Sequence, residues 1–158
     1  MAQDQNLANL YRPKTFGEMV GQDLAVTTLK RIAHADGIAA RALFLKGSFG
    51  SGKSSIARIF GRAMNCTEFK HKDDVCNACA GCQEASASNS SLYWELDGTV
   101  VGNIEGIRRL KEQLMVVPEG RRVVVLDEVQ AISRSSSDAL LKTVEEGVPN
   151  TIFMFCGT

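Results

Sequence analysis

The sequence predicts an α/β fold, a parallel β-sheet flanked by helices, and three observations carry that prediction. Short apolar runs, ALFLK at 42–46, VVVL at 123–126 and TIFMFC at 151–156, have the length and continuity of strands buried on both faces. Segments with apolar residues at helical spacing separate these runs, which is the rhythm of βαβ units. A glycine-rich loop also joins the first of these strands to a helix. The size agrees, because 158 residues suit one globular domain. With 44 % apolar and 23 % charged residues the composition is that of an ordinary soluble domain. Lysine plus arginine and aspartate plus glutamate both number 18, which excludes a polybasic nucleic-acid or membrane binder but not a local basic patch.

The elements follow in order. LAVTTLKRIAH at 24–34 reads as a helix stopped near Gly37, with His34 closing its C-terminus. ALFLK is a buried strand, and after the glycine-rich turn SSIARIFGRAM carries Ile56, Phe60 and Ala63 at helical spacing. Residues 65–91 break the rhythm with cysteines, charges and the run SASNSS, so they read as an insertion ending in a flexible connector. LYWEL at 92–96 resumes the strand pattern, with Tyr93 and Trp94 as core residues. Asn103 caps a helix bearing Ile104, Ile107, Leu110 and Leu114 on one face. VVVLDEV is the next strand, and Ser135 to Ser137 offer caps for DALLKTVEE. TIFMFC, with Cys156 as plain core, is the last. The chain stops at Thr158, where a parallel sheet usually hands over to a functional loop, and so reads as a truncated domain.

Gly47-Ser48-Phe49-Gly50-Ser51-Gly52-Lys53-Ser54 fits GxxxxGK[ST] without a mismatch. The glycines let successive N–H groups curl around a phosphate. Lys53 adds charge near the β and γ phosphates, the Ser54 hydroxyl can ligate Mg²⁺, and the helix start contributes its positive end. Ser55 completes the nucleotide-binding set. Asp127-Glu128, at the end of a predicted parallel strand, supplies a carboxylate to hold Mg²⁺ through water and a second to polarise an attacking water. The alternative for this pair is the capping of a following helix.

Cys66, Cys76, Cys79 and Cys82 have the spacing C-x₉-C-x₂-C-x₂-C. That favours a closed structural Zn²⁺ site, which would fold a polar segment with almost no core of its own. Iron–sulfur ligation and free thiols are the alternatives; Cys82 lacks the downstream Cys-Pro of a ferredoxin-type run. An odd cysteine count of five, four of them clustered, points to a reducing compartment. MAQDQNLANL has no signal-peptide-like apolar stretch, no run is long enough to span a membrane, and the expected location is the cytoplasm.

The combination resembles the clamp-loader AAA+ ATPases, and most closely the bacterial DNA polymerase III tau/gamma type. YRPKTFGEMVGQ at 11–22 is similar to the box that opens these proteins. The phosphate loop, the four-cysteine insertion directly after its helix, Asp127-Glu128-Val129, Ser133-Arg134 and ALLKTVEE at 139–146 follow in the family's order. The resemblance implies a partial P-loop AAA+ domain over 1–158 with a zinc-binding insertion at 65–91. It implies ATP, Mg²⁺ and Zn²⁺ as ligands, with other clamp-loader subunits, a sliding clamp, primer–template DNA and a replicative polymerase as partners. By position, Tyr11, Arg12, Pro13 and Val20 line an adenine pocket, and Thr158 stands where a polar residue senses the γ-phosphate. Arg134 is a DNA-backbone contact or a solvated surface arginine. Gln130 departs from the family's usual histidine, and 98–103 from its usual small polar run. The arginine finger, lid and collar of the family lie beyond Thr158. Two further readings remain at this point: a non-hydrolysing, zinc-stabilised assembly subunit, and another AAA+ DNA remodeller.

Overall fold

Four parallel strands, β1 (Ala42–Lys46), β2 (Tyr93–Asp97), β3 (Arg122–Asp127) and β4 (Thr151–Gly157), form one sheet in the order β1-β4-β3-β2. The computed structural model describes residues 10–158; the opening stretch at 1–9, read above for a leader, lies outside the described residues. Among the described residues these helices accompany the strands: α1 (Asp23–His34), α2 (Lys53–Ala63), α3 (Phe69–Lys72), α4 (Ala80–Ser86), α5 (Gly98–Val101), α6 (Ile104–Leu114) and α7 (Arg134–Glu146). Short 3₁₀ turns occupy Phe16–Glu18 and Val129–Ala131.

The continuous apolar runs of β3 and β4 exist because both faces are covered. Val123 and Val125 pack into one core with Ile56, Phe60 and Ala33, drawn from α1 and α2. Val124 and Leu126, one step along the pleat, enter a second core with Ile107, Leu110, Leu114 and Leu140 from α6 and α7. Sheet and helices thus make three layers, as the pattern predicted. No described helix is long and apolar enough to cross a membrane.

The structure departs from the expectations in several places. Among the described residues β1 lies at the sheet edge, where its residues are half-buried or exposed and Phe44 is 61 % exposed. The cap of α7 is Ser133, whose Oγ accepts from Ser136 N at 3.3 Å, while Ser136 is itself buried. SASNSS is no loose connector: Ser90 Oγ accepts from Leu92 N and Tyr93 N, and Trp94 Nε1 donates to Ser90 O. The cysteine segment has apolar content that joins the main core, since Phe69 and Val75 are buried against α1 and α2 residues. The stretch after Asp97, which departs from the family's small polar run, folds as α5 and is no loop, capped by the Asp97 carboxylate on Thr99 N at 2.7 Å. Ile104, expected on the apolar face of its helix, is exposed at the start of α6. Tyr93 and Trp94 are partly buried on opposite faces of the sheet. Arg122, the first residue of β3, is buried under Trp94, with its guanidinium 4.3 Å from the ring. Its Nε donates to Ser91 O and its Nη2 to Val116 O.

Phe60 sits fully buried between α2 and the sheet. Phe60→Ala is expected to lower unfolding stability by about 3–5 kcal/mol, read by urea denaturation. An effect under about 1 kcal/mol would place the core elsewhere.

Candidate nucleotide and metal sites

Parallel strands end together, so the C-terminal edge of the sheet gathers whatever follows β1 and β3. The loop after β1 turns into α2 at Gly52, which has φ +88° and serves as the helix N-cap. A side chain there would be strained, and its Cβ would also lie 3.3 Å from Met19 Cε. The loop closes on the sheet, since Gly47 N donates to Gly157 O at 3.1 Å. Lys53 Nζ donates to Gly47 O at 2.7 Å and to Ser48 O at 2.8 Å, which holds the ammonium within the loop.

Across the edge, Ser54 Oγ lies 3.2 Å from Asp127 Oδ2. This contact joins residues far apart in sequence and places a hydroxyl and a carboxylate together beside the loop. Asp127 Oδ1 accepts from Glu128 N at 2.9 Å. Glu128 has φ +52°, uncommon for a residue with a side chain and costing about 1–3 kcal/mol where it occurs. It makes no side-chain cap bond to the 3₁₀ turn that follows, so the helix-capping alternative does not account for this pair. Gln130 Nε2 donates to Glu128 Oε2 and holds that carboxylate at the edge. Gly98 leaves room for this backbone, because a Cβ there would meet Glu128 O at 2.7 Å and Asp127 O at 2.9 Å.

A cavity of about 660 Å³ opens over these groups. The predicted Tyr11, Arg12, Pro13 and Val20 line it together with Phe49 to Ser55, Asp127 and Glu128. Glu18 and Met19, which the motif reading passed over, line it too. Gly47 lines an adjoining cavity of about 300 Å³. Thr158 is exposed just beyond Gly157 and does not line the large cavity, nor does Ser48. Gln22, quoted within the opening box but given no role, donates from Nε2 to Ser51 O at 3.0 Å and braces the loop. Arg134 opens α7 away from the cavity lining and is exposed.

The four cysteines converge as predicted, with all four Sγ atoms within 4.8 Å of one another. Backbone N–H groups point at two of the sulfurs: Cys76 N at Cys66 Sγ, and Ala78 N and Cys79 N at Cys76 Sγ, at 3.3–3.5 Å. Those donors hold the Cys76 thiol below its ordinary value. Burial opposes ionisation of Cys79, yet the backbone donors of Cys82 and Thr67 bring it down to about 6. Burial pushes Cys66 and Cys82 up. A sulfur-only set at this spacing fits a closed tetrahedral Zn²⁺ site, and no carboxylate or histidine belongs to the group.

Comparison with known proteins follows the same lines. The family model described as "DNA polymerase III, delta subunit" matches residues 21–158. The chain belongs to this family. It is 33 % identical to the DNA polymerase III subunit tau of Bacillus subtilis over 98 % of this chain, and 34 % identical to that of Escherichia coli over 98 %. It is 30 % identical to Protein STICHEL of Arabidopsis thaliana over the same share. The chain spans 27 % and 24 % of the two tau subunits and 13 % of STICHEL, so it corresponds to a minor part of each. A gamma-subunit-related protein of Thermotoga maritima shares the fold, with TM-score 0.57 at 19 % identity over 84 % of this chain and 38 % of that one. Kinship with tau/gamma subunits and the α/β architecture therefore both hold.

The sulfur cage predicts that one equivalent of Zn²⁺ binds per chain and raises the thermal midpoint. Cys79→Ser is expected to weaken that binding by more than about 100-fold, beyond what loss of an outer-shell partner costs. Equal affinity in a competitive chelator titration would remove Cys79 from the ligand set.

Proposed function

We propose that this chain is the first part of an AAA+ ATPase domain, with 65–91 as its zinc-binding insertion, in a subunit of a DNA polymerase sliding-clamp loader. ATP binding would let the assembly open a clamp and engage primer–template DNA, and hydrolysis would release it. The other loader subunits, the clamp, the DNA and a replicative polymerase are the partners, in the cytoplasm. The observation that carries this reading is the Ser54–Asp127 pair beside the phosphate loop, under one cavity with Glu128.

The chemistry follows from these groups. Loop N–H groups and the α2 start receive phosphate oxygens, and Lys53 swings from its loop carbonyls onto the terminal phosphates. Ser54 and Asp127 would hold Mg²⁺, which would supply positive charge to offset that of the phosphates. Glu128 orients a water for in-line attack and takes its proton as the γ-phosphoryl group leaves for that water and ADP departs. Tyr11, Arg12, Pro13 and Val20 form the wall against which adenine rests. Thr158, one residue past the Gly157–Gly47 contact, is the proposed γ-phosphate sensor. Cys66, Cys76, Cys79 and Cys82 would hold Zn²⁺, which takes no part in the chemical step.

One observation favours a second reading, a nucleotide-binding assembly subunit that does not hydrolyse. The Gln130 amide occupies the very carboxylate that must activate water. Turnover separates the two. With the full-length protein in its assembled loader, Lys53→Ala should abolish ATP binding, and Glu128→Gln should keep binding while lowering kcat by about 10²–10⁴. Undiminished turnover in Glu128→Gln would overturn the role of Glu128, and no turnover in any assembly would establish the second reading.

A further inference from the structure

The cysteine insertion does more than fold itself: it grips the wall of the nucleotide cavity. The wall is the segment 11–20, which lines that cavity with Tyr11 to Pro13 on one side and Glu18 to Val20 on the other. Between these two sets the chain makes the 3₁₀ turn Phe16–Glu18, whose first N–H groups need acceptors. Asp74, two residues before Cys76, supplies them. Its Oδ1 accepts from Phe16 N at 2.9 Å and its Oδ2 from Gly17 N at 2.9 Å. The carboxylate is itself fixed, because Oδ1 also accepts from Val75 N at 2.8 Å.

Two further bonds hold the same wall. Asn77 Nδ2 donates to Lys14 O at 3.1 Å, and Arg62 Nη2, from α2, to the same oxygen at 2.8 Å. Phe16 is buried edge-on against Phe69 of the insertion, at a ring separation of 6.2 Å. Both Asp74 and Asn77 lie in the stretch that runs from Cys66 to Cys79. Cys66, Cys76 and Cys79 put three of the four converging sulfurs on this stretch, so a bound metal would help to fix where these acceptors and donors stand.

We infer that Asp74 is a positioning residue for the nucleotide cavity, coupling the metal held by the four cysteines to nucleotide affinity through the turn at Phe16–Glu18. This rests on the nucleotide-binding reading above. Coupling of this kind is reciprocal: metal strengthens nucleotide binding, and nucleotide strengthens retention of the metal by the same factor.

The same insertion offers an internal control. Asp73, the neighbour of Asp74, pairs with Lys30 Nζ at 2.9 Å and His34 Nε2 at 2.7 Å and so ties the insertion to α1, not to the wall. Asp73→Asn weakens this tie and keeps a residue type tolerant of the left-handed backbone at φ +54°. The experiment compares fluorescent ATP-analogue affinity and zinc content in the full chain, Asp74→Ala and Asp73→Asn. Asp74→Ala should retain one zinc per chain yet bind the analogue about tenfold more weakly, as loss of two charge-assisted bonds on a binding wall allows. Asp73→Asn should bind it as the unsubstituted chain does.

Unchanged affinity in Asp74→Ala overturns the inference, as does an equal loss in both variants, which would reflect general loosening of the insertion. Should Asp74→Ala fail to fold, zinc release from the unsubstituted chain to a chromogenic chelator decides. Saturating nucleotide must slow that release about tenfold, and equal rates overturn the coupling. If the unsubstituted chain binds no nucleotide, the proposed function falls and the coupling with it. If it binds and Asp74→Ala binds equally well, only the coupling falls.

Discussion

The two-sided pairing of β4 is the constraint on which the candidate nucleotide site depends. Phe153 sits in register with Ala42 of β1 on one side and with Val124 of β3 on the other. The same strand sets its Gly157 opposite Lys46 of β1 and its Phe155 opposite Leu126 of β3. Because all these strands run parallel, that register brings the loop after Lys46 and the acid pair after Leu126 to one edge. Neither half of the site has a direct backbone ladder to the other. A change that shifted β4 by one residue would turn its side chains to the wrong layers and part Ser54 from Asp127. Burial of nearly the whole strand makes that slip costly, since Ile152, Met154 and Cys156 fill one core while Phe153 fills the other.

This also explains which parts of the molecule were legible in the sequence. Val123 to Leu126 and Ile152 to Cys156 announce themselves because a strand covered on both faces needs no polar positions, and only continuous apolar runs satisfy it. ALFLK has the same local look, yet β1 ends at the edge with Phe44 exposed. An apolar run states what a strand can bury and not whether a neighbour is present. The phosphate loop was legible residue by residue because its chemistry is local: the turn, the ammonium and the hydroxyl lie within a single short motif. Gln22 and Met19 were not, since bracing the loop and lining its cavity are relations between distant segments.

The missed serines and arginine have equally physical reasons. Four serines cluster at 133–137, and each can cap a helix. Packing chooses among them: Ser136 is pulled inside, so the start of α7 falls at Arg134 and Ser133 takes the cap. Arg122 reads as surface by charge alone. Its burial is tolerable because two carbonyls and the face of Trp94 take up the guanidinium, although one nitrogen finds no partner. Burial lowers its pKa, with no carboxylate nearby to offset that cost. Its stacking role suits arginine and not lysine, whose compact ammonium could not cover the indole and reach both oxygens.

The cysteine insertion shows how an inserted segment can become inseparable from its host. A passenger module would touch the domain only where the chain enters and leaves it. Here Phe69 and Val75 belong to the main core, and Asp73 reaches α1 while Asp74 and Asn77 reach the opening segment. These contacts radiate from one short stretch organised by the sulfur cluster, the short helix α3 and the burial of Phe69 and Val75. The opening segment, for its part, has a single short turn of regular structure between Tyr11 and Val20. Such a segment cannot hold a cavity wall by its own hydrogen bonds, because most of its backbone groups have no partner within it. It must borrow order from elements that are themselves fixed. α2 lends it one bond through Arg62, and the insertion lends the rest. The wall of the candidate nucleotide cavity therefore takes much of its order from the insertion behind it.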